Sequence, residues 1–480
     1  MGSREEMLGN EPIGKLLTRL STPAIIGMIV NALYNLTDTA FLGNSSQGVN
    51  ALNALSIAFP FQTIMVAISL MFGVGASSVM SVALGRREYD KVENIVGSAF
   101  TAATISAIVW AFFAIIFMEP LFDLFSASEG VRPLATQYLT IVYIANIVFT
   151  NSYVCNNVLR AEGNTMAAMT LMIIGLGVNI ILDPIFIYES VSLGVFTISG
   201  LGLGVQGAAI ATSIGQMTAI MYALYFAKTN DTNLKISLSH LKVKIKLLSE
   251  ICRVGFPSFI RNIIASLISM IMFSLLIKYG NLLPNIEHGG EYAQAVFGTV
   301  NKVIMFMIMP SFGVIQGMQP IVGFNYGAKK YDRVMEVTNL CFKSLFIYFI
   351  FVWTVSMFIP SLVLSIFTND ETFILIGNNV LRITLLMYPL LPINIVSSSF
   401  FQALKKPKEA FILTASRQLI FLIPLVYTVP VFFPDHLKLY ALFACYPLSD
   451  TLSIILSFFV YKKGSKNLHK EALDVEKQVA

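Results

Sequence analysis

Apolar residues gather into twelve runs, at about 16–43, 51–84, 95–118, 134–158, 166–188, 201–227, 251–279, 293–326, 336–367, 374–403, 408–433 and 437–461. A helix needs roughly 20 predominantly apolar residues to cross the hydrocarbon of a bilayer. Every run meets that length, so the pattern predicts an all-α integral membrane protein with twelve transmembrane helices. The polar stretches between runs are short, apart from the one at 228–250.

Those polar stretches alternate in charge. Arg4 and Lys15 precede the first run, and Arg86, Arg87 and Lys91 follow the second. Arg160 follows the fourth, while Lys228, Lys235, Lys242, Lys244 and Lys246 fill the sixth connection. Lys329, Lys330 and Arg333 mark the eighth, Lys405, Lys406 and Lys408 the tenth, and five lysines the C-terminal tail. The intervening connections hold Arg132 and Lys438 at most. Cytoplasmic loops of membrane proteins carry the excess of Lys and Arg. The alternation therefore places both termini in the cytoplasm, and an odd or missed span would break it midway.

Composition agrees. Of 480 residues, 56% are hydrophobic and only 12% charged, against about 25% charged in a soluble domain. The net charge of +5 is a topology signal spread over alternate loops and not a nucleic-acid footprint. The opening residues, "MGSREEMLGNEPIGK", are polar and acidic without a short apolar core, so the first span is read as an anchor and not as a cleaved leader. Cys155, Cys252, Cys341 and Cys445 lie in or near spans without paired spacing, which gives no zinc or redox motif.

Two segments repeat. "GASSVMSVALGRREYDKV" (75–92) and "GMQPIVGFNYGAKKYDRV" (317–334) match at Gly75/Gly317, Gly85/Gly327, Tyr89/Tyr331, Asp90/Asp332 and Val92/Val334, an offset of 242. "LRAEGNTMAA" and "FQALKKPKEA" echo each other at the same offset, and Pro23 in "STPAIIG" pairs with Pro257 in "GFPSFIR". The chain thus reads as an N-terminal six-helix half at 1–227, a cytoplasmic linker at 228–250, a C-terminal six-helix half at 251–462 and a cytoplasmic tail at 463–480. Six spans per half make parallel repeats about an axis along the membrane normal, a transporter plan with its substrate site between the halves.

The halves differ in their polar positions. In the first span Asn31, Asn35 and Asp38 fall at i, i+4 and i+7, on one helix face. In the fifth, Asn179 and Asp183 are again i and i+4, with Pro184 next. Both aspartates fall a few residues before the outer end of their spans and so at similar depth. An ionised Asp within a span costs about 2.5–3.5 kcal/mol, so two of them need partners or a function. The second half reads "ASLISMIM" (Ala265 to Met272) where the first reads "NALYNLTD", so the polar set is gone. All four histidines, His240, His288, His436 and His469, lie outside the spans. That leaves the aspartates as ion-coupling candidates. Thr212 in "GAAIATS" adds a hydroxyl. Gln316 and Gln319 could bond a substrate or join helices. Arg261 and Arg417 are read as snorkelling to the cytoplasmic face and Arg382 as lying near the outer end, all three structural or interfacial. No Walker A sequence and no Ser/His/Asp or HExxH set occurs in the spans, so neither ATP drive nor an enzyme is expected.

With these motifs together, the chain resembles the multidrug and toxic compound extrusion (MATE) family over nearly its whole length. "NALYNLTDTAFLG", "GASSVMSVALGRREYDKV", "LRAEGNT", "NIILDP" and "QGMQPIVGFNYGAKKYDRV" carry the resemblance. The acidic pair in the N-terminal half is similar to the DNA-damage-inducible branch. The resemblance implies an antiporter in the plasma membrane, exporting cationic amphiphilic compounds in exchange for H+ or Na+ by alternating access. Its partners would be small organic cations, the coupling ion and the lipid bilayer, with no nucleic acid, no cofactor beyond a bound Na+ or proton, and a monomeric state. By motif, Asp38, Asn179, Asp183 and Thr212 would form the cation site. Asp38, Asn179 and Asp183 would be metal ligands if the ion is Na+. Asn31, Asn35, Tyr138, Asn157, Gln316 and Gln319 would border the substrate cavity, and Pro23 would be a bending switch. Two departures stand out: Asn164 where an acid is more usual, and a longer fifth loop. The alternative within the same superfamily is a flippase of lipid-linked oligosaccharides, against which twelve spans and few central cations count.

Overall fold

The computed structural model describes residues 2–124, 129–192, 197–234, 244–283, 289–366, 368 and 370–479. A short helix α1 (Gly2–Asn10) precedes six long ones: α2 (Ile13–Gly43), α3 (Gly48–Gly85), α4 (Tyr89–Ile116), α6 (Arg132–Ala161), α7 (Thr165–Ile187) and α8 (Val205–Thr229), with α5 (Met118–Leu124) between α4 and α6. The second half repeats the plan with α9 (Ile245–Gly280), α10 (Gly289–Gly327), α11 (Tyr331–Phe358), the short α12 (Pro360–Ser365) and α13 (Glu371–Thr384). It closes with α14 (Pro392–Ala403), α15 (Pro407–Ala415), α16 (Ile423–Thr428) and α17 (Lys438–Val479). Twelve stretches among the described residues are long and apolar enough to cross a membrane, matching the twelve expected runs.

Four local outcomes add to the sequence reading, and the first of them corrects it. The expected tenth span, 374–403, is broken by a 3-10 turn at Tyr388–Leu390. Pro389 and Pro392 cannot donate the backbone hydrogen bonds a continuous helix needs there. The eleventh span carries a π-helical segment, Ser416–Leu422, just before Pro424, whose missing N–H shifts the hydrogen-bond ladder. The tail expected at 463–480 continues as helix to Val479. The long fifth loop folds into a small antiparallel hairpin, β1 (Ser190–Ser192) with β2 (Thr197–Ser199), Val191 facing Ile198. The expected linker at 228–250 falls in part, at 235–243, outside the described residues.

The repeat is visible in the backbone. Arg87 (φ 60) and Lys329 (φ 60) both take the left-handed conformation, and so do Gly163 (φ 79) and Lys405 (φ 59). Each pair is separated by the same 242 positions as the sequence motifs (329 − 87 and 405 − 163). A non-glycine residue in this region strains the chain by roughly 1–2 kcal/mol, so recurrence at equivalent turns marks a shared design.

Within the first half, α3 packs on α6 and α7 on α8; the halves meet through α3 against α9 and α2 against α10. Small residues set that contact. A Cβ on Gly75 would strike the Ile251 carbonyl, and one on Gly255 the Met71 carbonyl. The partner pair is built likewise, with Gly317 on Ser21 and Gly313 on Ile25. Without a hydrophobic drive between helices in lipid, such close backbone approach supplies the packing. All these contacts lie toward the ends of the helices that carry the basic loops.

At that same face α1 ties both halves. Asn325 donates to Leu8 O (2.9 Å), Lys330 to Gly9 O (2.8 Å) and Arg333 to Glu11 O (2.7 Å). On the other side Tyr89 donates to Glu5 (2.8 Å) and Arg4 to Asp231 O (3.0 Å). Arg4 also pairs with Glu162 at 3.4 Å. Glu162, 3% exposed, accepts from Thr232 and from the Asn233 backbone N–H at 2.8 Å, which pins the start of the linker. Burial raises the Glu162 carboxyl above the usual range, against the lowering pull of those hydrogen bonds and of Arg4.

Replacing Gly255 by Val drives a side chain into the Met71 carbonyl. We expect a destabilisation of about 1–3 kcal/mol, read as a lower melting temperature in detergent, together with faster labelling of Cys252. Unchanged melting and labelling would show that this contact does not hold the basic face closed.

Candidate functional site

The sequence places a carboxylate on α2 and a second on α7; the fold brings them together. Asp38 and Asp183 interact electrostatically. Asp183 is fully buried and Asn179 is 2% exposed. Asn179 Nδ2 donates to Asp183 Oδ1 at 3.0 Å, one helical turn away. The same amide reaches Thr212 Oγ1 on α8 at 3.3 Å, so Thr212 joins the cluster despite the longer loop before it. That loop is docked: Tyr188 donates to Phe41 O (2.9 Å), and Val205 N–H to the Gln47 side chain (2.9 Å). Asn164, the other departure, caps α7 by accepting from Ala167 N at 3.3 Å.

Two further groups were missed in the sequence. Tyr34 lies one turn before Asp38, and its hydroxyl is 3.3 Å from Thr212 Oγ1; the i, i+4 spacing was the available signal. Gln62 on α3 donates to the Tyr138 hydroxyl at 2.7 Å. Nothing in its neighbourhood marks it before the fold is known. Tyr34 and Tyr138 both lie within electrostatic reach of Asp38 and Asp183.

Three oxygens in this cluster are buried without any hydrogen-bond partner: Asp38 Oδ1, Asp183 Oδ2 and Asn179 Oδ1. Leaving a buried acceptor unpaired costs about 1–3 kcal/mol, more when it is charged. Among the described residues no ion pair with Lys or Arg reaches either aspartate, and nowhere do three His, Cys, Asp or Glu side chains converge. The donor set is hard oxygen: two carboxylates, an amide and a hydroxyl. Such a set suits a proton or a hard cation, and like charges held in low dielectric oppose joint ionisation.

The remaining expected residues separate. Asn31 on α2 has a polar partner; the Asn35 side chain lies outside the described residues. Gln316 approaches Met28 of α2 across the interface, Nε2 to Sδ 3.9 Å, with its own Oε1 buried and unpartnered. Asn157 donates back to Tyr153 O in its own helix (2.8 Å) and packs against Gly73. Gln319 faces Gln402 at 3.4 Å, inside the second half. Pro23 sits buried in α2, between Ser21 and Ile25, the two residues seated on α10. Arg261 lies over the Phe312 ring at 5.7 Å and Arg382 donates to Met357 O at 3.0 Å. Arg417 does not snorkel. It pairs with Asp450, a buried acid that the sequence reading passed over.

Comparison with known proteins follows the same outline. The MatE family model matches the chain twice, at residues 23–185 and 257–428, and the two matches begin at the paired prolines Pro23 and Pro257. The multidrug export protein MepA of Staphylococcus aureus (strain MRSA252) is 24% identical over 88% of each chain. Its Staphylococcus haemolyticus (strain JCSC1435) counterpart is 23% identical over 93% of each. Among solved structures, the MATE multidrug transporter DinF-BH superposes with a TM-score of 0.84 at 36% identity, covering 95% of this chain and 96% of that one. A MATE crystal structure in the bent conformation gives 0.87 at 25% identity, covering 98% and 99%. With both halves matched by one family model and nearly all of the chain superposed on solved members, this protein belongs to the MatE family of multidrug and toxic compound extrusion transporters.

Proposed function

We propose that the chain is a secondary active antiporter that exports amphiphilic, mostly cationic organic compounds from the cell in exchange for H+ or Na+. The observation that carries this reading is the set of three buried, unpartnered oxygens on Asp38, Asp183 and Asn179, with no Lys or Arg among the described residues ion-paired to either carboxylate. A low-dielectric site that keeps two carboxylates and no counter-charge favours an exchangeable cation. The multidrug export relatives support the substrate class.

In this reading Asp38, Asn179, Asp183 and Thr212 hold the ion, Na+ being held by Asp38, Asn179 and Asp183 together if sodium is used. Asn31, Asn35, Tyr138 and Gln316 border the substrate path, while Asn157 and Gln319 brace its walls. The positive-inside pattern puts the basic face, and with it both termini, in the cytoplasm. The two six-helix halves, 1–227 and 251–462, then rock about the glycine contacts, which close the cytoplasmic side here. Pro23 leaves the Arg19 carbonyl without its helical donor, and Asp38 lies 15 residues further along α2, a lever of about 22 Å. A bend at Pro23 changes how Asp38 meets Asp183. Ion occupancy and helix geometry are coupled in that way.

Inverted vesicles loaded by a pH jump or a sodium jump, with a fluorescent organic cation outside, test the proposal. One of the two jumps drives uptake in the wild type, and Asp38→Asn and Asp183→Asn each reduce it to the level of empty vesicles. Gradient-driven uptake that survives Asp38→Asn sinks the coupling site. Uptake that survives only Asp183→Asn removes the pair and leaves Asp38.

Thr212→Val removes the hydroxyl shared by Asn179 and Tyr34. A lost hydrogen bond of this kind is worth about 1 kcal/mol, so the half-saturating ion concentration rises roughly five-fold while substrate affinity without a gradient stays constant. Tyr138→Phe leaves the Gln62 amide without its acceptor. Its expected mark is a lower melting temperature, from a loss of about 1–3 kcal/mol, and a normal melting curve would place that hydroxyl outside the packing network.

A further inference from the structure

The second half contains its own buried carboxylate, and it is treated differently. Asp450 on α17 is 1% exposed and accepts from Arg417 Nε at 2.5 Å, with Nη2 3.5 Å from the other oxygen. Arg417 lies in the π-helical segment of the eleventh span, and the carbonyl of that same residue accepts from Ser449. Tyr388 and Tyr446 both lie within electrostatic reach of the pair. Ser416 and Ser453 approach to 3.3 Å, and Asn394 donates to Ser453 and Ser457 at 2.8 and 2.9 Å.

The repeat makes the location informative. The fifth and eleventh spans begin at equivalent left-handed turns, Gly163 and Lys405, and the sixth and twelfth spans pack on them. So the same helix pair carries a polar centre in each half. In the first half it holds Asp183 with Asn179 and Thr212, and leaves acceptor oxygens unpartnered. In the second it holds Asp450, and a guanidinium on the neighbouring helix answers the charge.

We propose that Arg417 is a tethered cation that takes, in the C-terminal half, the part played by the exchangeable cation in the N-terminal half. Asp450 and Arg417 sum to zero charge in every state, so this half stays electrically silent through the cycle. Arg417 thereby confines coupling to one half and to the Asp38/Asp183 centre. This rests on the coupling role proposed above for that centre. A buried charge stripped of its partner is left uncompensated, and an unpaired Asp450 would have to recruit a proton or a metal cation from solution.

The test uses the full-length protein in detergent or proteoliposomes, with bound radiolabelled sodium and the infrared band of protonated carboxylic acids as readouts. Arg417→Met is expected to gain either one further bound Na+ per protein or a new protonated-carboxyl band. The gain disappears in R417M/D450N, and Arg417→Lys, which keeps a tethered charge, shows none. In the wild-type background Asp450→Asn changes neither readout. That last arm keeps the proposal open to refutation even if Arg417→Met does not fold. Loss of a bound ion or of a carboxyl band in Asp450→Asn overturns the proposal, as does a folded Arg417→Met that gains neither. Failure of the N-terminal coupling site shows instead as uptake that survives Asp38→Asn, a result the Asp450 arms do not share.

Discussion

In the hydrocarbon of a bilayer no water stands ready to bond a backbone N–H or C=O, and most of this architecture follows from that one constraint. Each run of apolar sequence must close its own hydrogen bonds as helix. Where proline removes a donor, the chain answers locally. It turns through a 3-10 segment at Tyr388–Leu390 and shifts to π geometry at Ser416–Leu422. The Arg417 carbonyl, set inside that π segment, is met by the Ser449 hydroxyl. Hydroxyls elsewhere in the spans fold back on the preceding turn, as Ser69 does to Met65 O and Thr338 to Val334 O. Buried polar atoms left over after such provision are scattered through both halves, and Asp38 Oδ1 and Asp183 Oδ2 are the carboxylate oxygens among them within the spans.

The two halves share a scaffold and divide the chemistry. Equivalent left-handed turns at Arg87 and Lys329, and at Gly163 and Lys405, fix the same path twice. Glycine contacts of α3 on α9 are answered by those of α10 on α2. Onto this symmetric frame the sequence has written an open acidic centre in one half and a self-neutralised ion pair in the other. In the proposed reading, that asymmetry of charge on a symmetric frame lets one half respond to an ion while the other holds a fixed wall against it. The N-terminal helix, bonded to Asn325, Lys330 and Arg333 on one side and to Tyr89 and the linker on the other, closes the basic face across both.

Much of this was legible in the chain itself. Twelve apolar runs, alternating basic loops and the 242-residue offset came directly from the order of residues, because lipid imposes a strict length and polarity on every span. Asp38, Asn179 and Asp183 were legible because helical periodicity puts them on defined faces at a common depth. Tyr34 obeyed the same periodicity and was passed over. Gln62 could not be seen, since its partner Tyr138 lies 76 positions away on another helix. Arg417 was misplaced for a related reason. A long cationic side chain near a helix end snorkels by default, and only the packing of α17 shows that Asp450 offers it a nearer partner.

What the sequence determined, then, was which segments are long and apolar enough to cross the membrane and which residues are too polar to face lipid. What only the tertiary structure decided was who meets whom. Asp183 finds Asp38 and Thr212, Arg417 finds Asp450, and Gly255 lies under the Met71 carbonyl. The physical reason is that helix periodicity and insertion cost are properties of one span, read along it. Charge compensation and close packing are properties of pairs of spans, set by how the helices are arranged around each other.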